Sequence, residues 1–449
     1  MTTLKTGISG VRGIYGESLT RDVVIRFARS FGKYLNGGKV VIGMDSRQSG
    51  PAIKDMLVEG LKETGCDITC LGLTATPTCQ LMVEETGADG GIEISASHNP
   101  EQWNGLKFIK GNGIFLNGPE VDRLLNIYNL NEPAKNIAGK KFSLKEDKTS
   151  DVKHIKRLLS RTDTGLIKSK NFHVVIDSCN GAGSRITPLF LKELGCRIVE
   201  LNCLPRGHFS HSPEPIPANL KQLSGKVKET GAAIGFAQDP DADRLAIVAG
   251  DGTIIGEEYT LCLAVKSILS KKRGPVVTNL STTRAVDDIA REYGCPVIRT
   301  KIGEVHVAER MLLEKAVIGG EGNGGVIDPR IHYGRDSLAG IAIVLELMAT
   351  TGKTLSELFN GLPQYYLSKE KIECPVEKLG LIINHFKNKH TNEKLDFTDG
   401  LRIDTAGYWT LIRGSNTEPV VRAFTESPDK YKSESINKAV LEEIKRIIT

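Results

Sequence analysis

Several short stretches of this chain carry side chains able to do chemistry. Residues 95–100 read Ser95-Ala96-Ser97-His98-Asn99-Pro100 and set a hydroxyl, an imidazole and an amide behind the apolar run Gly91-Ile92-Glu93-Ile94. A serine in such a turn is either a nucleophile able to carry a phosphoryl group or an ordinary turn residue. Further on, Asp239, Asp241 and Asp243 alternate with Pro240 and Ala242. Residues two apart in extended chain share a face, so three carboxylates converge and their repulsion calls for a cation. Hard oxygen ligands suit Mg²⁺, one ion per chain. An EF-hand is excluded, because its sixth and twelfth positions would be Arg244 and Gly250 where Gly and Glu are needed. The apolar approach Ala233-Ile234-Gly235-Phe236-Ala237 and exit Leu245-Ala246-Ile247-Val248 argue against an acidic surface turn.

Two further loops read as binding loops. Glu321 and Asn323 lie among Gly319, Gly320, Gly322, Gly324 and Gly325, where tight backbone with a carboxylate and an amide suits sugar hydroxyls. Near the C-terminus, Arg413-Gly414-Ser415-Asn416-Thr417-Glu418-Pro419 with Arg422 offers hydroxyls, an amide and two guanidiniums for a phosphate; a satisfied hairpin turn is the plain alternative. Gly7-Ile8-Ser9-Gly10-Val11-Arg12-Gly13 is Gly-rich but lacks P-loop spacing. Asp45 and Arg47 read as a simple surface ion pair.

A repeat must position these loops. Lys39-Val40-Val41-Ile42, His173-Val174-Val175-Ile176 and Pro275-Val276-Val277-Thr278 each lead through a polar turn into an amphipathic helix. Each helix ends at a Gly-Cys pair (65–66, 195–196, 294–295), and a second strand follows. A third strand then enters the Ser97 loop, the aspartate loop or the Glu321 loop. Strands alternating with helices predict parallel βαβ units, whose sites gather at the strands' carboxyl ends. The chain is thus α/β, with three related mixed α/β domains and a C-terminal α+β domain, and the three equivalent loops suggest one shared active site. The expected domains are 1–135, 150–255, 256–362 and 368–449, with 361–368 as a hinge.

The bulk numbers fit a globular protein. Net charge is +5, with 59 basic and 54 acidic residues intermixed, which excludes a dedicated nucleic-acid binder. The Lys-rich stretch 140–153 also holds Glu146, Asp147 and Asp151 and reads as a solvated linker. The start MTTLKTGISG shows no apolar core and no cleavage site, and the run 338–348 is too short for a bilayer. A cytoplasmic protein with no membrane partner and nine reduced cysteines is expected. No motif speaks to oligomeric state.

Taken in this order, the loops resemble the α-D-phosphohexomutase superfamily, from Ser9 to Arg422. The resemblance implies four domains around a central cleft, and an isomerase that interconverts hexose 6-phosphate and hexose 1-phosphate through a phosphoserine and a hexose bisphosphate. It makes Ser97 the phosphoserine and places Mg²⁺ on Asp239, Asp241, Asp243 and an oxygen at Ser97. Arg12, His98 and Lys107, the last within Asn104-Gly105-Leu106-Lys107, become the basic residues around that serine; His98 either moves protons or orients the loop. Glu321 and Asn323 match the sugar loop. Arg413, Ser415, Asn416 and Thr417 match the loop that grips the non-reacting phosphate, with Arg422 beyond. The sequence departs from the pattern at Ser95 and Ile8, each where threonine is usual, and at Gly325, where many members have histidine. The sugar loop and Gln102-Trp103-Asn104-Gly105 resemble those of proteins read as phosphoglucosamine mutases, which implies turnover of glucosamine 6-phosphate into glucosamine 1-phosphate. Phosphomannomutase/phosphoglucomutase is the alternative. A metal-dependent sugar phosphatase and a non-catalytic sugar-phosphate binder are the more distant rivals.

Overall fold

The structure is a computed structural model that describes residues 3–131, 142–415 and 419–448. Its β-strands fall into four sheets of seven, five, four and five strands. The first three share one core. In the first unit, Asp67–Leu73, Lys39–Met44 and Gly90–Ile94 lie side by side and parallel, and Trp103–Lys110 returns antiparallel beside the last of them. Arg197–Leu201, His173–Asp177, Ile234–Gln238 and Leu245–Ala249 repeat the pattern. So do Val297–Thr300, Val276–Asn279, Ile318–Glu321 and Gly325–Ile327. The repeat reads from sequence as three strands. The structure adds the antiparallel fourth, so each chemical loop is a connection between the third strand's carboxyl end and a returning partner.

The same chemistry ends the helix that follows the first repeat strand of each unit. The helices Gly50–Glu63, Gly183–Glu193 and Ala285–Glu292 stop just before Gly65, Gly195 and Gly294, at φ of 73°, 72° and 67°. Those left-handed glycines let the cysteine amides reach back to Leu61, Leu191 and Ala290 carbonyls at 3.2, 3.0 and 2.9 Å, which closes the helix end. The cysteine side chains pack, and all nine cysteines are free. The apolar run of the third unit is the helix Ser337–Thr351. It is buried from Ser337 to Ala349 and packs on Glu258–Lys271, as a helix apolar all round requires. Among the described residues, no helix is long and apolar enough to cross a membrane.

The last unit is an antiparallel sheet with strand order Tyr366–Glu373, Val420–Ser427, Trp409–Gly414, Leu401–Asp404, Lys394–Asp396, packed under Lys430–Ile448. One detail differs from the sequence reading. Within the stretch read as a solvated linker, Leu144–Glu146 adds an edge strand parallel to Asp67–Leu73. All three of its side chains are exposed, so backbone pairing holds it and no apolar pattern announces it. In the segment expected to hinge, the Tyr365 amide donates to the Tyr259 hydroxyl at 2.8 Å.

Candidate active site

The loops at the carboxyl ends of the three homologous strands meet. Ser97 sits in the turn after Gly90–Ile94 with φ 49°, a left-handed conformation that costs a non-glycine residue about 1–3 kcal/mol. Ser95 Oγ accepts the Ser97 amide at 2.9 Å. The Arg47 guanidinium donates to the carbonyls of Ser97, Asn99, Pro100 and Trp103 at 2.6, 2.7, 2.7 and 3.0 Å. Arg47 is itself held by Asp45 at 3.1 Å, both side chains fully buried. The surface ion pair expected from sequence is therefore the internal clamp of the serine loop. Nothing in a two-residue spacing tells an exposed pair from a buried one.

Across the boundary with the second unit, Ser97 Oγ donates to Asp239 Oδ2 at 2.9 Å. Asp239, Asp241 and Asp243 are fully buried, each with an oxygen within 4.8 Å of the others'. Ala242, between two of them, takes φ 56°. The other Asp239 oxygen accepts the amides of Asp243 and Arg244, both at 3.1 Å. Lys107 is hydrogen-bonded to Asp241 and lies 3.5 Å from Asp243. Thr76 donates to Asp241 at 2.5 Å, and Arg335 to Asp243 at 2.5 Å. One oxygen each of Asp241 and Asp243 stays buried without a hydrogen bond. Buried acceptors are normally satisfied, so these two beside Asp239 Oδ2 form a hard-oxygen set fit for a divalent cation. Burial and the neighbouring Asp243 and Asp241 charges push the Asp239 carboxyl up. For Asp241, burial acts the same way but is outweighed by Lys107 and Thr76, so its carboxyl lies below the usual range.

A cleft of about 380 Å³ opens over this cluster, lined by Arg12, His98 and Lys107 of the first unit, Arg244 of the second, Glu321, Asn323 and Arg335 of the third and Arg422 of the last. His98 Nδ1 lies 3.3 Å from Ser97 Oγ. The Arg244 charge, burial and Arg12 hold the His98 imidazole well below its usual range, hence neutral. Arg12 donates to Asn99 at 3.0 Å; burial lowers its pKa to about 10, and it stays cationic. Glu321 is buried and engaged on both oxygens, accepting from Asn279 at 2.7 Å, the Gly303 amide at 2.9 Å and Arg335 at 2.7 Å. Asn323 Oδ1 accepts the Gly325 amide at 3.2 Å. Arg413 reaches Asp399 at 3.3 Å, and the Ser415 amide donates to the Val420 carbonyl at 2.9 Å. Asn416 and Thr417 lie outside the described residues.

The sequence also matches, stretch by stretch, the four families of phosphoglucomutase/phosphomannomutase: alpha/beta/alpha domain I over residues 3–135, domain II over 152–252, domain III over 257–366 and the C-terminal domain over 372–443. It is 34% identical to the "Probable phosphoglucosamine mutase" of Methanopyrus kandleri, with 98% of each chain covered. The chain belongs to the phosphoglucomutase/phosphomannomutase family. It is also 37% identical to the phosphoglucomutase/phosphomannomutase of Thermococcus kodakarensis over 95% of each chain. A crystal structure of a phosphoglucomutase/phosphomannomutase family protein from Burkholderia thailandensis superposes with a TM-score of 0.85 at 27% identity, over 99% of this chain and 97% of that one.

Within this family frame, the structure adds residues that sequence reading passed over. Thr76, Arg335 and Glu304 enclose the aspartate cluster. Behind it, His154, His332 and Asp336 also cluster at metal-like spacing, but their hydrogen bonds are complete. His154 is bonded to Thr78 at 2.8 Å and to Asp336 at 2.9 Å; His332 Nδ1 accepts the Gly334 amide at 2.9 Å. The triad is a buried brace between the helices Thr76–Glu85, Ser150–Leu159 and Ser337–Thr351. The available signal was a polar residue just before a fully apolar helix, Asp336, which caps that helix through the Leu338 amide.

Proposed function

We propose that this chain interconverts the 6-phosphate and 1-phosphate of a hexose, that Ser97 Oγ carries the phosphoryl group between them, and that the sugar is glucosamine. The observation that carries the reading is the Ser97 hydroxyl on Asp239, next to His98 in the lining of a cleft to which all four units contribute. In the first half-reaction the bond from phosphorus to Ser97 Oγ breaks as one forms to a free sugar hydroxyl. That hydroxyl loses a proton and Ser97 Oγ gains one. Neutral His98, beside Oγ, relays it. Lys107 and Arg12, both cationic, neutralise charge on the transferring group. The bisphosphorylated sugar turns end for end, and Ser97 takes the other phosphate by the reverse exchange. Arg413, Ser415, Asn416, Thr417 and Arg422 hold the phosphate that is not reacting, and Glu321 and Asn323 border the sugar.

Asp239, Asp241 and Asp243 would hold one Mg²⁺ with an oxygen at Ser97, which when bound supplies charge neutralisation at the phosphoserine. The working domains are 1–135, 150–255, 256–362 and 368–449, with 361–368 as the joint that lets the last one open. The free cysteines accord with a cytoplasmic enzyme.

A specific observation supports the second reading, phosphoglucomutase/phosphomannomutase. Both oxygens of Glu321 are already engaged, which leaves little acceptor capacity for a sugar ammonium. The test compares kcat/KM for glucosamine, glucose and mannose 6-phosphates with one phosphorylated preparation. Preference for glucosamine supports the first reading and preference for the neutral sugars the second. Free phosphate with no isomerised sugar would favour a phosphatase, and binding without turnover a sugar-phosphate binder.

A further inference from the structure

Gly325 opens the returning strand of the third unit, immediately after the sugar loop. A Cβ built there would lie 2.2 Å from Arg335 Cδ and 2.9 Å from Cγ. Those atoms cannot swing aside cheaply. Their guanidinium is held by carboxylates from three separate elements: Asp243 at 2.5 Å, Glu321 at 2.7 Å and Glu304 at 3.1 Å. Gly325 and Arg335 are thus a matched pair, in which the larger residue fills the space the smaller one leaves. Position 325 is also where the sequence departs from the histidine of the resembling family.

The replacement changes the site's chemistry. Arg335 lines the cleft and is a donor that cannot accept. Two of its N–H groups are spent on Asp243 and Glu321, and its pairing cancels the Glu321 charge. An ammonium group offers no lone pair to such a donor and is repelled by it, whereas a hydroxyl can accept. We infer that Arg335, seated in the space vacated at Gly325, is the specificity-determining residue that weakens discrimination in favour of an amino sugar and admits neutral hexose phosphates beside it. The inference rests on the mutase reading and on loop 320–325 bordering the sugar.

The test measures kcat/KM for glucosamine 6-phosphate and glucose 6-phosphate on the full chain, phosphorylated in one batch, and the melting temperature of each variant. A ratio of the two constants is insensitive to losses that strike both sugars alike. Arg335→Gln is expected to shift the ratio toward glucosamine on the order of tenfold or more, since it removes a nearby cation and frees Glu321. Arg335→Lys, which keeps the charge, is expected to return it to within about threefold of the parent. Gly325→His alone is expected to lower the melting temperature and activity on both sugars; Arg335→Ala also strands three buried carboxylates, and the double variant is expected to lose less than the two single losses added together. An unchanged ratio in Arg335→Gln, with the parent active, overturns the inference. So do Gly325→His and Arg335→Ala losses that merely add, read by melting alone if necessary. A parent inactive on every hexose phosphate would instead overturn the mutase reading.

Discussion

Arg47→Met removes the guanidinium beneath the serine loop while leaving a side chain of similar length. The four carbonyls of Ser97, Asn99, Pro100 and Trp103 lose their donor, and buried Asp45 loses its cation. Stranding one member of a buried ion pair costs about 3–5 kcal/mol, and we expect destabilisation of that size. The loop would then relax from the strained Ser97 conformation and carry Oγ away from Asp239. A misplacement of about 1 Å costs on the order of a hundredfold in rate, so kcat should fall at least that far. Arg47 is not among the residues lining the cleft, so KM should move by less than about threefold. Steady-state kinetics and urea denaturation read the two effects separately. Adding Asp45→Asn removes the stranded charge, which should recover stability but not kcat. Arg47→Met turning over within threefold of the parent would refute the claim that this residue sets the serine's position.

Three other outcomes follow from the structure. The His211 imidazole is raised to about 11; burial opposes this, but the Asp177 hydrogen bond and charge and the Cys179 contact outweigh it. The fold therefore favours the protonated ring. Its stabilisation is complete below the ordinary histidine range and is lost as pH rises toward about 11, so melting temperature should fall across that window less steeply in His211→Gln. Chelation should abolish turnover and Mg²⁺ restore it, and saturating Mg²⁺ should raise the melting temperature, since an ion held at a hundred times its dissociation constant adds about 2.7 kcal/mol. Glu93 lies opposite Lys107 on adjacent strands with neither oxygen partnered, and burial with the Asp241 and Asp45 charges pushes its carboxyl far up. The fold holds it neutral, so Glu93→Gln should stabilise at pH 9, where ionisation penalises the parent, and change little at pH 5.

The parts of this molecule that repeat were legible in the sequence. Three β-branched runs, three Gly-Cys helix ends and three unlike loops sufficed for the architecture, because a left-handed helix end favours glycine. Ser97 and the three aspartates were legible because one short stretch holds each group. What escaped was assembled across distance. Arg335 reaches Asp243 in a loop, Glu304 at a helix start and Glu321 at a strand end, and its neighbours in sequence carry no sign of that. Arg47 reads as an exposed cation because burial of a guanidinium depends on where four carbonyls end up. Glu321 reads as a free carboxylate because Asn279 and Gly303 approach it from other turns. The edge strand Leu144–Glu146 left no trace because it buries no side chain.

The central claim is that Ser97 carries the phosphoryl group. It is tested most directly by incubating the purified chain with glucose 1,6-bisphosphate, measuring intact mass, mapping the modified residue, and then chasing with a hexose monophosphate. The account predicts a single added phosphate on Ser97 that moves to the sugar at least as fast as steady-state turnover, and its absence in Ser97→Ala together with nearly all activity. Active enzyme bearing no phosphate at Ser97, or an alanine variant with full turnover, would contradict it.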